Sequence, residues 1–85
     1  MKISFFGAME ALYGAKYDEI ALEKPTRLSD ALEMISRGRP EFAAVWKNKD
    51  LEDCLLVISG GRICRADDIL EDESELFICT PMDGG

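Results

Sequence analysis

The chain has 85 residues, which is enough for one small domain. Apolar residues make up 47% and charged residues 32%, a balance that argues against a disordered chain. The formal net charge is −7, which argues against nucleic-acid binding because that needs cations to replace phosphate counterions. The absence of histidine excludes Ser-His and Cys-His catalytic pairs and imidazole zinc ligands.

The sequence shows no pattern typical of a membrane span, a secretory signal or a redox-active cysteine pair. The longest apolar runs, residues 42–46 and 54–58, are far shorter than the roughly 20 residues of a spanning helix, and no secretory signal pattern is present. We therefore expect a cytoplasmic protein that does not enter a membrane. The cysteines form no C-x-x-C pair, so we interpret them as reduced, small apolar residues, with a sulfur-relay role as the alternative. They are Cys54, Cys64 and Cys79.

The N-terminal third predicts two strands joined by a short helical turn. Residues 2–5 alternate polar and apolar, which is the period of a half-buried strand, and Gly7 follows them. Residues 8–12 can form one helical turn that stops near Gly14. Residues 17–22 indicate a second strand.

A helix follows, with Thr26 or Ser29 expected as its N-cap. Its apolar stripe has helical spacing and predicts a core-facing side. The stripe consists of Leu28, Ala31, Leu32 and Ile35. Gly38 and Pro40 predict the end of this helix, and residues 40–46 suit a second short helix packed on the core.

The C-terminal half predicts strands separated by charged loops. Adjacent glycines indicate a tight hairpin turn at residues 59–62, because such turns need positive φ angles. The other expected segments are a charged loop at 47–53, a central strand at 54–58, a short strand at 62–64, a solvated acidic loop at 66–75 and a last strand at 76–80 that Pro81 ends.

This order predicts an α+β fold, a mixed sheet of four to five strands around one main helix, with the first and last strands adjacent at its centre. The alternation of apolar residues along these two strands predicts which residues face the helix. They are Ile3, Phe5, Leu76 and Ile78. Phe6, Phe77 and Cys79 then lie on the opposite face as an exposed apolar patch, which we expect to be a docking surface unless residues 40–46 or a flanking loop cover it.

The last residues, Pro81-Met82-Asp83-Gly84-Gly85, follow a central strand directly. A terminal carboxylate with a pKa of about 3.5 is ionised at neutral pH and needs activation before it can react as an electrophile. Glycine lets a backbone approach closely, and four residues extend at most about 13–14 Å into a partner's pocket. The alternative is a frayed or truncated end without a function.

These residues resemble a known family. The resemblance covers the whole chain and rests mainly on Glu75-Leu76-Phe77-Ile78 followed by Pro81-x-x-Gly84-Gly85, with weaker matches at Ile3-Ser4-Phe5-Phe6 and Val57-Ile58-Ser59-Gly60. The chain is similar to the ubiquitin-like β-grasp sulfur carriers of the MoaD/ThiS family, most closely to the small subunit of molybdopterin synthase. It departs from the family pattern at Thr80, where a first proline often stands. The resemblance implies a β-grasp domain at 1–81 and a flexible reactive tail at 82–85.

By this resemblance, an adenylating enzyme related to ubiquitin-activating enzymes uses ATP to activate Gly85, and a persulfide donor converts it to a thiocarboxylate. A large synthase subunit, with which the chain forms a heterotetramer, accepts the tail. Gly84 allows the tail to thread into the active site of that subunit. The small subunit is not catalytic alone and needs no metal or cofactor of its own. The expected partner-binding residues are Phe6, Phe77, Cys79, Pro81 and Met82.

Alternative functions stay open at this point. The chain could carry sulfur for another pathway, such as thiamin synthesis or tRNA thiolation. It could instead be a protein modifier joined to lysines, as the archaeal small modifiers are, or a β-grasp interaction module whose tail has no role.

Overall fold

The computed structural model describes residues 1–81. The helices are α1 (Ala8–Tyr13), α2 (Leu28–Ser36), α3 (Pro40–Trp46) and α4 (Leu51–Cys54). The strands are β1 (Lys2–Phe5), β2 (Tyr17–Glu19), β3 (Thr26–Arg27), β4 (Leu56–Ser59), β5 (Arg62–Ile63), β6 (Ile69–Leu70) and β7 (Glu75–Cys79).

Five strands form a mixed sheet in the order β2-β1-β7-β4-β5. β1 and β7 are parallel and adjacent at its centre, with Lys2 opposite Glu75 and Phe5 opposite Ile78. The other pairs in this sheet are antiparallel. The predicted α+β class, the strand number and the central position of the first and last strands are confirmed.

The core lies between one face of this sheet and the helices. The inward residues of β1 and β7 that the alternation predicted are at most 2% exposed, and so are Leu28, Ala31 and Leu32 of the predicted α2 stripe. Phe42 of α3 is fully buried, and its ring meets Phe5 and Tyr13 edge to face at centroid distances of 5.9 and 5.2 Å. The predicted short helix at 40–46 is therefore confirmed, and it packs on the core side.

The predicted N-cap of α2 is wrong. Arg27 is the N-cap residue, with no side-chain hydrogen bond to the helix start. The backbone N–H groups of Leu28 and Ser29 instead donate to the carbonyl oxygens of Asp68 and Ala66, at 2.8 and 3.0 Å. A distant loop thus supplies the acceptors that a capping side chain normally provides.

Thr26 lies in β3, which pairs with β6 as a second, two-stranded sheet. Thr26 is opposite Leu70, and Arg27 is opposite Ile69. The predicted acidic loop at 66–75 therefore contains a strand that sequence patterns did not indicate. This strand positions the carbonyl groups that begin α2.

Other predicted boundaries need correction. β2 stops at Glu19 rather than at residue 22, because the Leu22 N–H turns to the carboxylate of Asp72, 2.9 Å away. Part of the expected loop at 47–53 forms α4, and Cys54 ends that helix instead of starting the next strand. β7 runs one residue earlier than predicted and ends at Cys79.

The predicted hairpin at 59–62 is confirmed. Ser59 pairs with Arg62, and Gly60 and Gly61 between them have φ angles of 60° and 77°. Side chains rarely adopt these angles, so adjacent glycines are what this turn requires. No helix within residues 1–81 combines the length and apolar composition needed to cross a membrane.

Candidate functional site

The sheet face that points away from the helices carries one row of paired residues across all five strands. Cα partners place Tyr17 opposite Ser4, Ser4 opposite Phe77, Phe77 opposite Ile58, and Ile58 opposite Ile63. We call these five residues the outer row. Because strands in a sheet lie about 4.8 Å apart, the row is roughly 19 Å long.

Apolar side chains of this face are unusually open to solvent. Tyr17 is 75% exposed, Ile63 63%, Phe6 49% and Phe77 40%. The rings of Phe6 and Phe77 stack with centroids 6.0 Å apart, and the Phe6 N–H donates to the Ile78 carbonyl at 2.9 Å. The structure thus brings together the two aromatic residues expected in a docking surface.

Within residues 1–81, residues 40–46 do not cover this face, because α3 packs against Phe5 on the other side of the sheet. The alternative that this segment hides the patch is therefore wrong. The sequence analysis missed that the apolar surface extends to Tyr17 and Ile63, since strand register is needed to align them. Their β-branched or aromatic character at strand positions was the available signal.

The remaining expected contact residues lie where β7 leads out of the sheet. Cys79 is partly buried, with its Sγ 3.8 Å from the Leu56 carbonyl oxygen, and Pro81 is exposed. Met82, Gly84 and Gly85 lie outside the described residues. The central strand therefore carries the chain from Phe77, which stacks on Phe6, to the exposed Pro81 four residues later.

The other cysteines are placed as core residues. Cys64 is 5% exposed, and burial raises the pKa of its thiol, which disfavours the reactive thiolate. Cys54 is partly buried against the core. Residues 1–81 contain no cluster of cysteine and carboxylate side chains that could hold a metal ion.

A polar cluster that the sequence did not predict connects α1, β2 and the start of α3. It consists of Tyr13, Asp18 and Arg39. The Tyr13 hydroxyl donates to Asp18 Oδ2 at 2.5 Å, and the Glu19 N–H donates to Asp18 Oδ1 at 2.7 Å. Arg39 lies 4.0 Å above the Tyr13 ring and donates to the Tyr13 carbonyl oxygen at 3.1 Å. The three side chains come from different elements, so no local motif announces the cluster.

The electrostatics of this cluster follow from its contacts. The Tyr13 hydrogen bond is the main cause that lowers the pKa of Asp18, and burial raises the pKa of Tyr13 far above its ordinary value. Because Asp18 occupies the outward-facing N–H of Glu19, the cluster also blocks part of the exposed edge of β2. Its geometry favours a structural role.

Asp72 holds the acidic segment in place. It accepts hydrogen bonds from the Leu22 N–H at 2.9 Å and from the Met1 amino group at 3.4 Å. The Leu22 N–H is the main cause that lowers the pKa of Asp72. The expectation of a purely solvated loop is thus incomplete, since one of its carboxylates fastens it to the body.

Comparison with known proteins gives no match to a family model and no match to a curated protein. Solved structures do match over nearly the whole chain. A Pyrococcus furiosus protein assigned as molybdopterin converting factor, subunit 1, is 25% identical over 95% of both chains, with a TM-score of 0.78.

Two archaeal modifiers share the fold at lower identity. Small archaeal modifier protein 1 from Haloferax volcanii is 20% identical, covering 100% of this chain and 98% of that chain, with a TM-score of 0.82. Its counterpart from Methanosarcina acetivorans is 18% identical, covering 99% and 94%, with a TM-score of 0.73. The chain thus has the ubiquitin-like β-grasp fold, and its structural neighbours are the molybdopterin converting factor subunit and the small archaeal modifiers of the MoaD/ThiS family, as its motifs indicated.

Proposed function

We propose that this chain is a sulfur carrier, the small subunit of a molybdopterin synthase, and that Gly85 carries the sulfur as a thiocarboxylate. The observation that carries the proposal is the placement of β7. This strand lies at the centre of the sheet, next to an exposed aromatic pair, and leads directly to Pro81 and the Gly84-Gly85 sequence. The likeness to the Pyrococcus furiosus protein supports the molybdopterin assignment.

The position of β7 supports a division of roles between the folded body and the last residues. Residues 1–81 present the Phe6–Phe77 pair to a partner, and residues 82–85 enter that partner's active site. A strand held by neighbours on both sides fixes the starting point of the tail at Pro81. Gly84 has no Cβ, so a narrow channel can enclose its backbone.

The chemistry at Gly85 begins with an ionised carboxylate. An adenylating enzyme transfers AMP from ATP to this group and releases pyrophosphate. The carbonyl carbon of Gly85 then bears AMP, which is a good leaving group. The terminal sulfur of a donor persulfide then displaces AMP, and a thiol reduces the resulting acyl disulfide to the thiocarboxylate. The large synthase subunit receives this sulfur donor beside a pterin precursor.

The composition assigns the remaining chemistry to the partners. A chain with net charge −7 and no histidine is poorly equipped to bind a phosphorylated pterin or to transfer protons at neutral pH. The cations and the general acids and bases therefore belong to the adenylating enzyme and the large subunit. The need for ATP and for a thiol reductant supports a cytoplasmic location of the carrier.

Intact-mass analysis of the protein from its native cells tests the proposal. We expect a fraction whose mass shows one sulfur in place of one oxygen at a C-terminus ending in Gly85, and its loss when Gly84 and Gly85 are deleted. A Glu52→Ala variant, changed at an exposed position of α4, serves as the control. Unchanged molybdopterin synthesis in cells that contain the deleted form contradicts the proposal.

The docking part has a separate test. Phe77→Ala and Phe6→Ala are expected to weaken binding to the adenylating enzyme by about tenfold or more, since aromatic anchors dominate interfaces. Circular dichroism should show the fold retained. Equal binding by the wild type and both variants would place the docking surface elsewhere.

The second candidate is a protein modifier, and the high structural similarity to the Haloferax volcanii modifier favours it. In that case the activated Gly85 acylates lysine amines of other proteins. Mass spectrometry of tryptic digests from native cells distinguishes the two, because lysines bearing the C-terminal fragment support the modifier and their absence alongside a thiocarboxylate supports the carrier. A thiocarboxylate in cells that make no molybdopterin would assign the carrier to another sulfur pathway.

A further inference from the structure

The backbone between β1 and α1 adopts a conformation that side chains disfavour. Gly7 has a φ of 57° and a ψ of −131°. A positive φ combined with a strongly negative ψ is close to a region that glycine alone populates readily. Gly14, at the other end of α1, has a φ of 91° and a ψ of 11°, nearer the left-handed helical region that asparagine also visits. Gly7 is therefore the more demanding of the two positions.

The residue before Gly7 is held through both of its backbone polar groups. The Phe6 N–H donates to the Ile78 carbonyl oxygen at 2.9 Å, and the Phe6 carbonyl oxygen accepts from the Met9 N–H at 3.1 Å. One bond ties Phe6 to the central strand β7, and the other ties it to α1. The Phe6 ring then stacks on Phe77 with centroids 6.0 Å apart.

Gly7 lies where the chain crosses from the outer sheet face to the core side. Phe6 is 49% exposed on the outer face, whereas Met9, three residues later, is 1% exposed in the core. The turn at Gly7 lets α1 begin on the core side while Phe6 stays hydrogen-bonded to β7. A change of the Gly7 angles must therefore displace either α1 or Phe6.

We propose that Gly7 is a positioning residue for the docking surface, and that its backbone angles hold the Phe6 ring against Phe77 before a partner arrives. This inference rests on the proposed function, in which the aromatic pair meets the adenylating enzyme. A ring pair that is already formed loses less conformational freedom on binding. Gly7 acts through Phe6 and takes no part in the chemistry at Gly85.

Mirror symmetry supplies a matched pair of variants. Reversing the signs of the Gly7 angles gives a φ of −57° and a ψ of 131°, near the extended conformation that L residues adopt readily. D-alanine therefore fits the observed angles, and L-alanine does not. Both forms of Gly7→Ala carry the same added methyl group and can be made by total chemical synthesis of the full chain.

Nuclear Overhauser effects between the Phe6 and Phe77 rings report the pairing directly. We expect them in the wild type and in the D-alanine form of Gly7→Ala, and we expect them to be lost in the L-alanine form. Loss in both forms would assign the effect to the bulk of the methyl group. Retention in both would show that the backbone angle is unimportant. Either result overturns the proposal.

ATP–pyrophosphate exchange by the adenylating enzyme measures the functional effect. The L-alanine form should raise the KM for the carrier by about tenfold with kcat little changed, and the D-alanine form should keep the wild-type KM. In a Phe6→Ala background, L-alanine at this position should raise KM no further, because Gly7 acts through Phe6. Additive increases in KM, or a fall in kcat alone, overturn the proposal.

Unfolding temperatures of all forms are measured first, so that exchange is assayed where each is folded. If the L-alanine form does not fold, the D-alanine form decides the case, because a raised KM or a lost ring contact in that form overturns the proposal. Absence of exchange with the wild type would contradict the proposed function, whereas the ring contacts would still test the role of Gly7.

Discussion

At the scale of single residues, one side-chain cluster is formed by the fold and not by a local sequence motif. Its members are Tyr13, Asp18 and Arg39. A buried phenol, a partly exposed carboxylate and a stacked guanidinium connect α1, β2 and the turn before α3. The sequence gives no signal of this, because each residue is ordinary in its own element. Only the fold brings the three together.

Tyr13→Phe tests the cluster. The variant keeps the ring packing and removes the donor that lowers the pKa of Asp18, so we expect the free energy of unfolding to fall by about 1 kcal/mol and the Asp18 titration midpoint to rise. A carboxylate with a lowered folded-state pKa stabilises the fold above pH about 4 and loses that contribution as pH falls. The stability difference between wild type and variant should therefore shrink in acid.

Chemical denaturation between neutral and acidic pH measures this difference, and carboxyl NMR measures the Asp18 midpoint. Glu52→Ala is the control, because Glu52 lies far from the cluster along the chain and its side chain is exposed. A pH-independent difference, or an unmoved Asp18 midpoint, would show that the hydrogen bond does not carry the effect.

Ser29→Ala tests the start of α2. A capping serine is worth about 1 kcal/mol, but here the carbonyls of Asp68 and Ala66 accept the first helical N–H groups. We expect the free energy of unfolding to change by less than about 0.5 kcal/mol. Denaturation curves of wild type and variant measure it, and a loss near 1 kcal/mol would restore the cap that the sequence predicted.

At the scale of elements, β7 alternates between side chains buried in the core and side chains open to solvent. Leu76 and Ile78 are at most 1% exposed, whereas Phe77 between them is 40% exposed. One strand therefore contributes two side chains to the core and one exposed aromatic ring, which we propose as a docking residue.

Ile78→Ala and Phe77→Ala form a matched pair. Removing the fully buried Ile78 side chain should cost about 3 kcal/mol, because a cavity remains in the core. Phe77→Ala should cost about 1 kcal/mol or less, yet it should be the variant that weakens partner binding. Thermal unfolding ranks the two, and a larger stability loss for Phe77→Ala would contradict the assigned faces.

The elements that the sequence predicted well have local causes. The alternation of β1, the stripe of α2, the proline that begins α3 and the paired glycines of the hairpin each act within a few residues. β3 and β6 are two residues long and exist because they pair with each other across the chain, so no periodicity can indicate them. For the same reason the exposed face was predicted at Phe6 and Phe77, while Tyr17 and Ile63 required strand register.

At the scale of the whole molecule, the net charge of −7 acts at longer range than any contact. The acidic segment, residues 67–73, lies just before the central strand that carries the exposed Phe77. It contains Asp67, Asp68, Glu71, Asp72 and Glu73, and Glu75 begins the strand itself. A partner with a basic surface is therefore attracted before contacts form.

Association with the adenylating enzyme should accordingly slow by about tenfold or more as salt is raised well above physiological strength, with little change in the dissociation rate. Stopped-flow mixing measures both rates. Glu71→Gln with Glu73→Gln should reduce the salt dependence while leaving the exposed aromatic pair intact. A salt-independent association rate would remove the steering argument.

The parallel contact between β1 and β7 has a consequence for biosynthesis. The strand that completes the centre of the sheet comes from residues 75–79 and leaves the ribosome after every other described strand. Until it arrives, β1 has β2 as its single neighbour and the interior lacks Leu76 and Ile78. We therefore expect translation products that end before β7 to stay unfolded and open to proteases, so that folded copies come from chains synthesised at least through β7.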